Sequence, residues 1–223
     1  MSKRPGGPTT EPDHDCSLCP RLRAFILENR RSHPDWHNGP VRTWYPPEGP
    51  GTVRLLIVGL APGLRGANRT GRPFTGDYSG DLLYATLGKF GLAAGHLETR
   101  LDESLRLQAT AVTNAVRCVP PENKPLGAEI STCRNYLAAT IRQLDRLVAI
   151  VTLGKIAHDS TVRALGGRLA EHPFGHASET DLEGKRIISS YHCSRYNTNT
   201  GRLTPAMFEA VFKRVSQHLA AAR

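Results

Sequence analysis

Cysteine is the residue type whose spacing in this sequence points most directly to chemistry. Cys16 and Cys19 form a C-x2-C pair, Cys118 and Cys133 are separated by fourteen residues, and Cys193 stands apart. Structural zinc usually uses two short pairs, whereas only one is present here. Four widely spaced cysteines suit an iron-sulfur cluster better. From the spacing alone, buried free thiols and a redox-active C-x2-C pair remain alternatives.

A glycine-rich segment that ends on a carboxylate is the second candidate. Gly59, Gly63 and Gly66 follow an apolar run, and Asp77 closes the segment. Glycines after a strand often cradle a phosphate at the start of a helix. The G-x-x-x-G-x-x-G spacing does not match the dinucleotide pattern, however, and no Gly-Lys-Ser/Thr follows. Because Pro62 also removes a backbone donor, a phosphate loop is disfavoured, and a tight turn without a ligand is the simple alternative.

Four apolar segments predict the strands that must position these residues. Helix-length segments separate them, and such alternation predicts an α/β fold with parallel strands. The strand segments are VRLLIVGL (53–60), LQATAVTNAV (107–116), RLVAIVTL (146–153) and KRIISSY (185–191). Helices are expected near 20–30, 80–90, 155–165 and 205–221, and between the second and third strands. In the helix between the second and third strands, one inward face is formed by Ile130, Cys133, Leu137, Ile141 and Leu144.

The loops after the predicted strands are the expected location of functional residues. Ligands of open parallel sheets bind beyond the carboxyl ends of the strands. Four loops meet there, at 61–77, 114–125, 154–155 and 192–199. A lone histidine is usually structural, but His192 directly follows the fourth strand. This position favours a functional role for it.

The charge balance limits the class of partner. The 223 residues include 29 Lys and Arg against 20 Asp and Glu, a formal net charge of +9. Such a basic surface suits nucleic acid or an anionic membrane. The sequence lacks an apolar run that could span a bilayer and lacks a secretory signal, so we expect a cytoplasmic protein that does not bind membranes. The length favours one domain, over residues 16–223, after a flexible tail over residues 1–15.

The predicted loops carry motifs that together resemble one enzyme family. The motifs are GLAPG (59–63), GRPFTGD (71–77), TNAVRCVPPENKP (113–125) and HCSRYNTNTGRLTP (192–205). They resemble those of the uracil-DNA glycosylase superfamily, and more narrowly its iron-sulfur branch, called type b or family five. The resemblance implies a single catalytic domain, a three-layer α/β/α sandwich with a short, mostly parallel four-stranded sheet. It also implies a structural 4Fe-4S cluster held by Cys16, Cys19, Cys118 and Cys133.

The resemblance further implies a pocket that receives a base flipped out of the DNA stack. Gly59 and Ala61 would contribute to its wall. Phe74 would stack on the flipped base, with a place in the core as its alternative role. Asn114 would read the edge of a pyrimidine, since its amide offers both a donor and an acceptor.

Candidate catalytic residues follow from the same resemblance. His192 would donate a hydrogen bond to the departing base. Most members of the superfamily have Asp, Asn or Glu at the position of Ala61, where it positions the attacking water. Because alanine cannot do this, Asp77 is the expected substitute, with a helix cap as its equally plausible alternative role. Arg195, Tyr196 and Asn197 lie in the segment that resembles the family's DNA-inserting loop.

The resemblance therefore implies a monofunctional DNA glycosylase. It would remove uracil, and other deaminated bases such as hypoxanthine, by hydrolysis, which starts base-excision repair and leaves an abasic site. The expected partner is DNA that contains uracil or another deaminated base, and the expected state is a monomer. Two other classes remain as alternatives. One is an iron-sulfur electron-transfer protein, and the other is a protein that binds or captures uracil-containing DNA without turnover.

Overall fold

The computed structural model of the protein describes residues 9–95 and 104–222. Their strands are β1 (Leu55–Gly59), β2 (Ala93–Ala94), β3 (Arg106–Leu107), β4 (Thr110–Asn114), β5 (Ala149–Leu153), β6 (Glu179–Leu182) and β7 (Lys185–Ser190). Their α-helices are α1 (Pro20–Ser32), α2 (Ala67–Thr70), α3 (Tyr78–Lys89), α4 (Gly127–Gln143), α5 (Lys155–Ala164), α6 (Arg195–Asn199) and α7 (Pro205–Ala221).

The central sheet has the strand order β4-β1-β5-β7-β6. Strand β1 pairs in parallel with β4 and β5, and β5 pairs in parallel with β7. All four are the strands predicted from the apolar segments. The fifth, β6, is antiparallel to β7 and was not predicted, so the expected four-stranded sheet has five strands.

The sequence of β6 explains why this strand was missed. It reads ETDL at the edge of the sheet, where it is only partly buried and has no apolar run. Glu183 and Gly184 join it to β7, with φ angles of 49° and 69°. Positive φ at both positions is typical of a tight hairpin turn, but Glu-Gly is a weaker turn signal than Asn-Gly or Asp-Gly.

Helices cover both faces of the sheet and make the expected three layers. Leu55 and Ile57 of β1 point into one core cluster, which also contains side chains of α3 and α7. Leu56 and Val58 point the other way, into a second cluster with side chains of α4 and α5. This alternation is what a strand buried on both faces requires.

The helix ends follow the expected signals. Thr204 caps α7 by accepting a hydrogen bond from the Met207 backbone N–H, and Pro205 occupies the first helical position. The short helices α2 and α6 lie within loops and were not predicted. No helix among the described residues is long and apolar enough to cross a membrane.

The segment before Cys16 packs against the domain where the structure describes it. Residues 1–8 of the predicted flexible tail lie outside the described residues. Glu11 pairs with the fully buried Arg117 at 3.1 Å, and the Arg117 guanidinium also donates to Thr43 and Thr140. Through Glu11, this part of the predicted tail provides the counter-ion of a buried guanidinium. The flexibility of residues 1–15 stays a prediction.

Candidate active site

A cavity of about 500 Å³ lies at the carboxyl ends of the parallel strands. The loops after β1, β4, β5 and β7 all contribute to its lining, as the strand pattern predicted. Among the described residues, Asp77 is the one carboxylate of this lining. The cavity also brings together most of the residues that the family resemblance singled out, namely Ala61, Phe74, Asn114, His192 and Asn197.

Gly59 lets two of these side chains approach the end of β1. A Cβ at this position would lie 2.5 Å from Asn114 Oδ1 and 2.5 Å from Cζ of Phe74. Any larger residue would displace both. Asn114 ends β4, directly beside Gly59 in the sheet, and its side chain is buried at the cavity. The glycine therefore fixes where an amide and an aromatic ring meet.

Phe74 forms an aromatic wall of the cavity with His192. The two rings are stacked, with their centroids 6.0 Å apart and an angle of 24° between their planes. Phe74 is buried and its φ is +54°. A bulky residue rarely adopts this left-handed conformation, so the surrounding structure must hold it there.

Asp77 caps α3 and also faces the cavity. Its Oδ1 accepts hydrogen bonds from the backbone N–H groups of Ser79 at 3.1 Å and Gly80 at 3.3 Å. Its Oδ2 packs against Gly63 and Gly66, where a Cβ on Gly66 would overlap it. Burial raises the pKa of Asp77 above its usual range. The glycines of this loop thus make room for a carboxylate and not for a phosphate.

Ala61 lies on the same loop and lines the cavity with Pro62. Its methyl group packs beside the core cluster that contains Leu22, Ile26 and Val116. It offers no polar atom to a water molecule, which leaves Asp77 as the carboxylate available for that role.

His192 follows β7 and packs over Gly154, which has a φ of +96°. Burial lowers the pKa of His192 to about 4, so the imidazole is neutral near pH 7. Its backbone carbonyl accepts a hydrogen bond of 2.8 Å from the Asn197 side chain. The Asn197 side chain therefore helps to hold the backbone of His192 in position. Its predicted contact with DNA stays a prediction.

The other two residues of the predicted DNA-inserting loop lie on α6, near the cavity. Tyr196 is 73% exposed. The Arg195 guanidinium lies over the Tyr78 ring, 5.5 Å from its centroid. Cys193, two residues before Arg195, is fully buried, and its thiol is 3.5 Å from the Ser79 carbonyl oxygen. That cysteine belongs to the packing of the loop against α3.

Two aromatic residues of the lining, Phe174 and Tyr191, were not predicted as site residues. Their ring centroids are 6.2 Å apart, and the Arg202 guanidinium lies 4.7 Å from the Tyr191 centroid. Tyr191 ends the fourth predicted strand, so its position after that strand was a usable signal. Phe174 lies in an irregular loop before β6, where the sequence shows no periodicity that could have identified it.

The four cysteines of the predicted cluster converge at a second, smaller site, the cysteine site, formed by Cys16, Cys19, Cys118 and Cys133. They line one cavity of about 20 Å³ between the start of α1, the loop after β4 and α4. The Arg117 backbone N–H donates to Cys133 Sγ at 3.2 Å. Burial raises the pKa of Cys133 to about 11 and that of Cys118 further, with the neighbouring thiols adding to the shift at Cys118.

The donor set of the cysteine site is all sulfur, which suits a cluster. Within residues 9–95 and 104–222, no three His, Cys, Asp or Glu side chains are placed to hold a single metal ion. In a cubane each thiolate binds a different iron, so its four sulfurs lie farther apart than the ligands of one ion. Four cysteine thiolates are a ligand set of iron-sulfur clusters and of structural zinc alike, so the donor chemistry of the cysteine site fits a cluster and does not by itself exclude zinc.

Comparison with known proteins identifies the family. The sequence profile of the Uracil DNA glycosylase superfamily matches residues 46–216. A type-5 uracil-DNA glycosylase of Thermus thermophilus is 42% identical over 200 residues, which cover 86% of this chain and 89% of that protein. Type-5 enzymes of Mycobacterium bovis and Pyrobaculum aerophilum are 42% and 34% identical, over 89% and 91% of this chain and 76% and 88% of theirs. The chain belongs to the uracil-DNA glycosylase superfamily, in its type-5 branch.

Proposed function

We propose that the protein is a monofunctional glycosylase that hydrolyses the N-glycosidic bond of uracil in DNA. The observation that carries this proposal is the meeting of Phe74, Asn114, Asp77 and His192 in one cavity at the end of the sheet. The relatives that are 42% identical over most of the chain are named uracil-DNA glycosylases. Base removal would leave an abasic site and so begin base-excision repair.

Base capture is the first step of the proposed reaction. A base inside a duplex is out of reach, so it must leave the stack and enter the cavity. The Phe74 ring would stack on its face, a contact typically worth about 1–3 kcal/mol for each base. Beside that ring, the Asn114 amide can pair with a pyrimidine edge, since it carries both a donor and an acceptor.

Bond cleavage is the second step, and it separates charge. The sugar becomes cationic as the base leaves as an anion. The neutral imidazole of His192 can donate an N–H to the base carbonyl oxygen and so stabilise that negative charge without giving up a proton. The Asp77 carboxylate can orient the attacking water and stabilise the cationic sugar. No lysine nucleophile is needed for this hydrolysis.

The size of the cavity supports a wider substrate range. Its volume of about 500 Å³ is larger than a single pyrimidine ring requires, and Ala61 adds little bulk to the lining. Deaminated purines such as hypoxanthine are therefore proposed as further substrates.

We also propose that the cysteine site holds a 4Fe-4S cluster. When bound, the cluster would tie the start of α1 to the loop after β4 and to α4, as a structural link. Support comes from the four converging thiols and from their all-sulfur donor set. Action as a monomer is also part of this proposal.

The DNA-binding surface is proposed to surround the mouth of the larger cavity. The net charge of +9 supports binding to a polyanion. Arg195 would contact phosphate, and the exposed ring of Tyr196 is available to fill the gap left by the flipped base.

A single assay tests the proposed activity. Oligonucleotides that contain one uracil or one hypoxanthine are incubated with the protein, in double-stranded and single-stranded form, and are then treated with alkali. We expect alkali-labile strand breaks at the uracil, with no break in a thymine control. A stable protein-DNA crosslink would instead indicate covalent capture, and intact DNA would indicate a binding or electron-transfer protein.

A further inference from the structure

The backbone of Phe74 is held in a conformation that phenylalanine does not favour. Its φ of +54° lies in the left-handed region, where a bulky side chain is strained. Such a conformation persists only where neighbouring groups determine it. Those groups therefore decide where the Phe74 ring lies in the cavity.

The hydroxyl of Tyr84 is one of the groups that hold this turn. It donates a 2.6 Å hydrogen bond to the carbonyl oxygen of Pro73, the residue before Phe74. Tyr84 is 2% exposed, and Pro73 is buried as well. Without the hydroxyl, the Pro73 carbonyl would lose a buried partner and the turn would lose an anchor.

A second anchor comes from the same helix. Gly80, in the first turn of α3, lies so close to the Phe74 carbonyl oxygen that a Cβ on it would overlap that atom. Tyr84 lies about one turn further along α3, and Asp77 caps the start of this helix. One helix thus carries the carboxylate and both contacts that fix the aromatic ring.

Tyr84 is in turn held in place by an aromatic contact. Its ring makes an edge contact with Trp44, with the centroids 5.5 Å apart at 72°. The Arg72 guanidinium lies over the Trp44 ring, 4.5 Å from its centroid. Burial raises the pKa of Tyr84 well above its usual value, so its hydroxyl remains a donor throughout the physiological range.

We propose that Tyr84 is a positioning residue for base capture, which holds the Pro73 carbonyl and thereby keeps the Phe74 ring in place to stack on the flipped base. Tyr84 does not line the cavity and acts through Phe74. This inference rests on the proposed function, in which Phe74 contacts the base.

The test is the Tyr84→Phe variant, which removes one oxygen and keeps the ring. Single-turnover excision from a uracil-containing duplex is measured over a range of enzyme concentrations. The half-saturating concentration is expected to rise about 3- to 10-fold, the range that corresponds to losing one buried hydrogen bond. The saturated rate is expected to change less, because Asn114, Asp77 and His192 are unaltered. Tyr45→Phe, which changes a tyrosine packed against the opposite core cluster, is the matched control and should match the parent.

A double-mutant cycle separates positioning from a general structural effect. Phe74→Ala should weaken capture, and Tyr84→Phe should add no further rise in that background, although it lowers thermal stability in both. Gly80→Ala displaces the Phe74 carbonyl without changing Tyr84, and it should reproduce the capture defect. Fluorescence of 2-aminopurine placed beside the uracil reports base flipping independently of excision.

The outcomes are distinct. If Tyr84→Phe matches the parental half-saturating concentration, or if its effect multiplies with that of Phe74→Ala, the positioning role is overturned. If the parental protein does not remove uracil at all, the proposed function fails instead, whatever the Tyr84 variant does.

Discussion

Asp77 caps α3 and lines the cavity, and a single substitution can separate the cap from the proposed catalytic role. One oxygen caps α3, and the other faces the cavity beside Gly63. Asn is as good an N-cap as Asp, so Asp77→Asn should keep the cap and lose only the charge. We expect single-turnover excision to fall by about 10²- to 10⁴-fold with DNA affinity and thermal stability nearly unchanged. Asp77→Ala removes the cap too and should cost a further 0.5–2 kcal/mol or so of stability.

Asp81→Asn is the matched control for Asp77→Asn, because it also removes one negative charge from the first turn of α3. It should excise uracil at the parental rate. Parental excision by Asp77→Asn, together with a loss of thermal stability in Asp77→Ala, would leave Asp77 with the capping role alone.

The pH dependence of excision follows from the two shifted groups. Burial raises the pKa of Asp77 above the ordinary value of 3.8, and the proposed reaction needs Asp77 as an ionised carboxylate. The saturated excision rate should therefore fall as the pH drops through this raised pKa, and Asp77→Asn should lack that acid limb. His192 has a pKa of about 4 and is already neutral at higher pH. His192 should thus add no titration to the rate between about pH 6 and 8, where an unshifted histidine would titrate.

Rates measured at saturating enzyme over this range check the prediction. A titration centred near 6.5 that disappears in His192→Gln would show that the imidazole is not held neutral.

At the scale of secondary structure, the elements with a strong hydrophobic pattern were predicted and the elements without one were not. The four parallel strands are buried along most of their length, so they lie in apolar-rich segments of the sequence. The loops after them could be placed at the site because parallel strands end at the same edge. Strand β6 and the loop of Phe174 take their positions from tertiary contacts, which leave no local pattern. The left-handed φ of Phe74 was equally unpredictable, because the contacts that accompany it come from Tyr84 and Gly80 of α3, later in the chain.

The cysteine site joins elements that are distant in the chain, and its loss should be felt as loss of folding. Purified without air, the protein should contain about four irons per chain. Cys118→Ser should lower iron content, solubility and thermal stability together, because binding energy at such a site is folding energy. Cys193→Ser is the matched control, since Cys193 is equally buried but lies on the loop after β7. It should keep its iron. Stoichiometric zinc without iron, or unchanged iron in Cys118→Ser, would contradict the cluster assignment.

For the molecule as a whole, the net charge of +9 predicts an affinity for DNA that comes mostly from phosphate contacts. Such contacts release counterions, so the logarithm of the binding constant should fall linearly with the logarithm of the salt concentration. The slope gives the number of phosphates neutralised, at about 0.9 per phosphate for a duplex. A flat response between low and moderate salt would rule out a phosphate-dominated interface.

Arg195 supplies the residue-level test of this surface. Arg195→Ala should reduce the salt slope by about one and weaken binding to all sequences alike, as the loss of one phosphate contact requires. Its saturated excision rate should stay parental, because Arg195 is not part of the cavity lining. Arg142→Ala provides the control. Arg142 is exposed in the last turn of α4. This helix leads from the end of β4 to the start of β5, so Arg142 lies toward the amino ends of the strands, away from the cavity. If Arg142→Ala changes the salt dependence of binding as much as Arg195→Ala does, then DNA does not bind specifically at the mouth of the cavity. The basic residues would then attract DNA through the net charge of the whole surface.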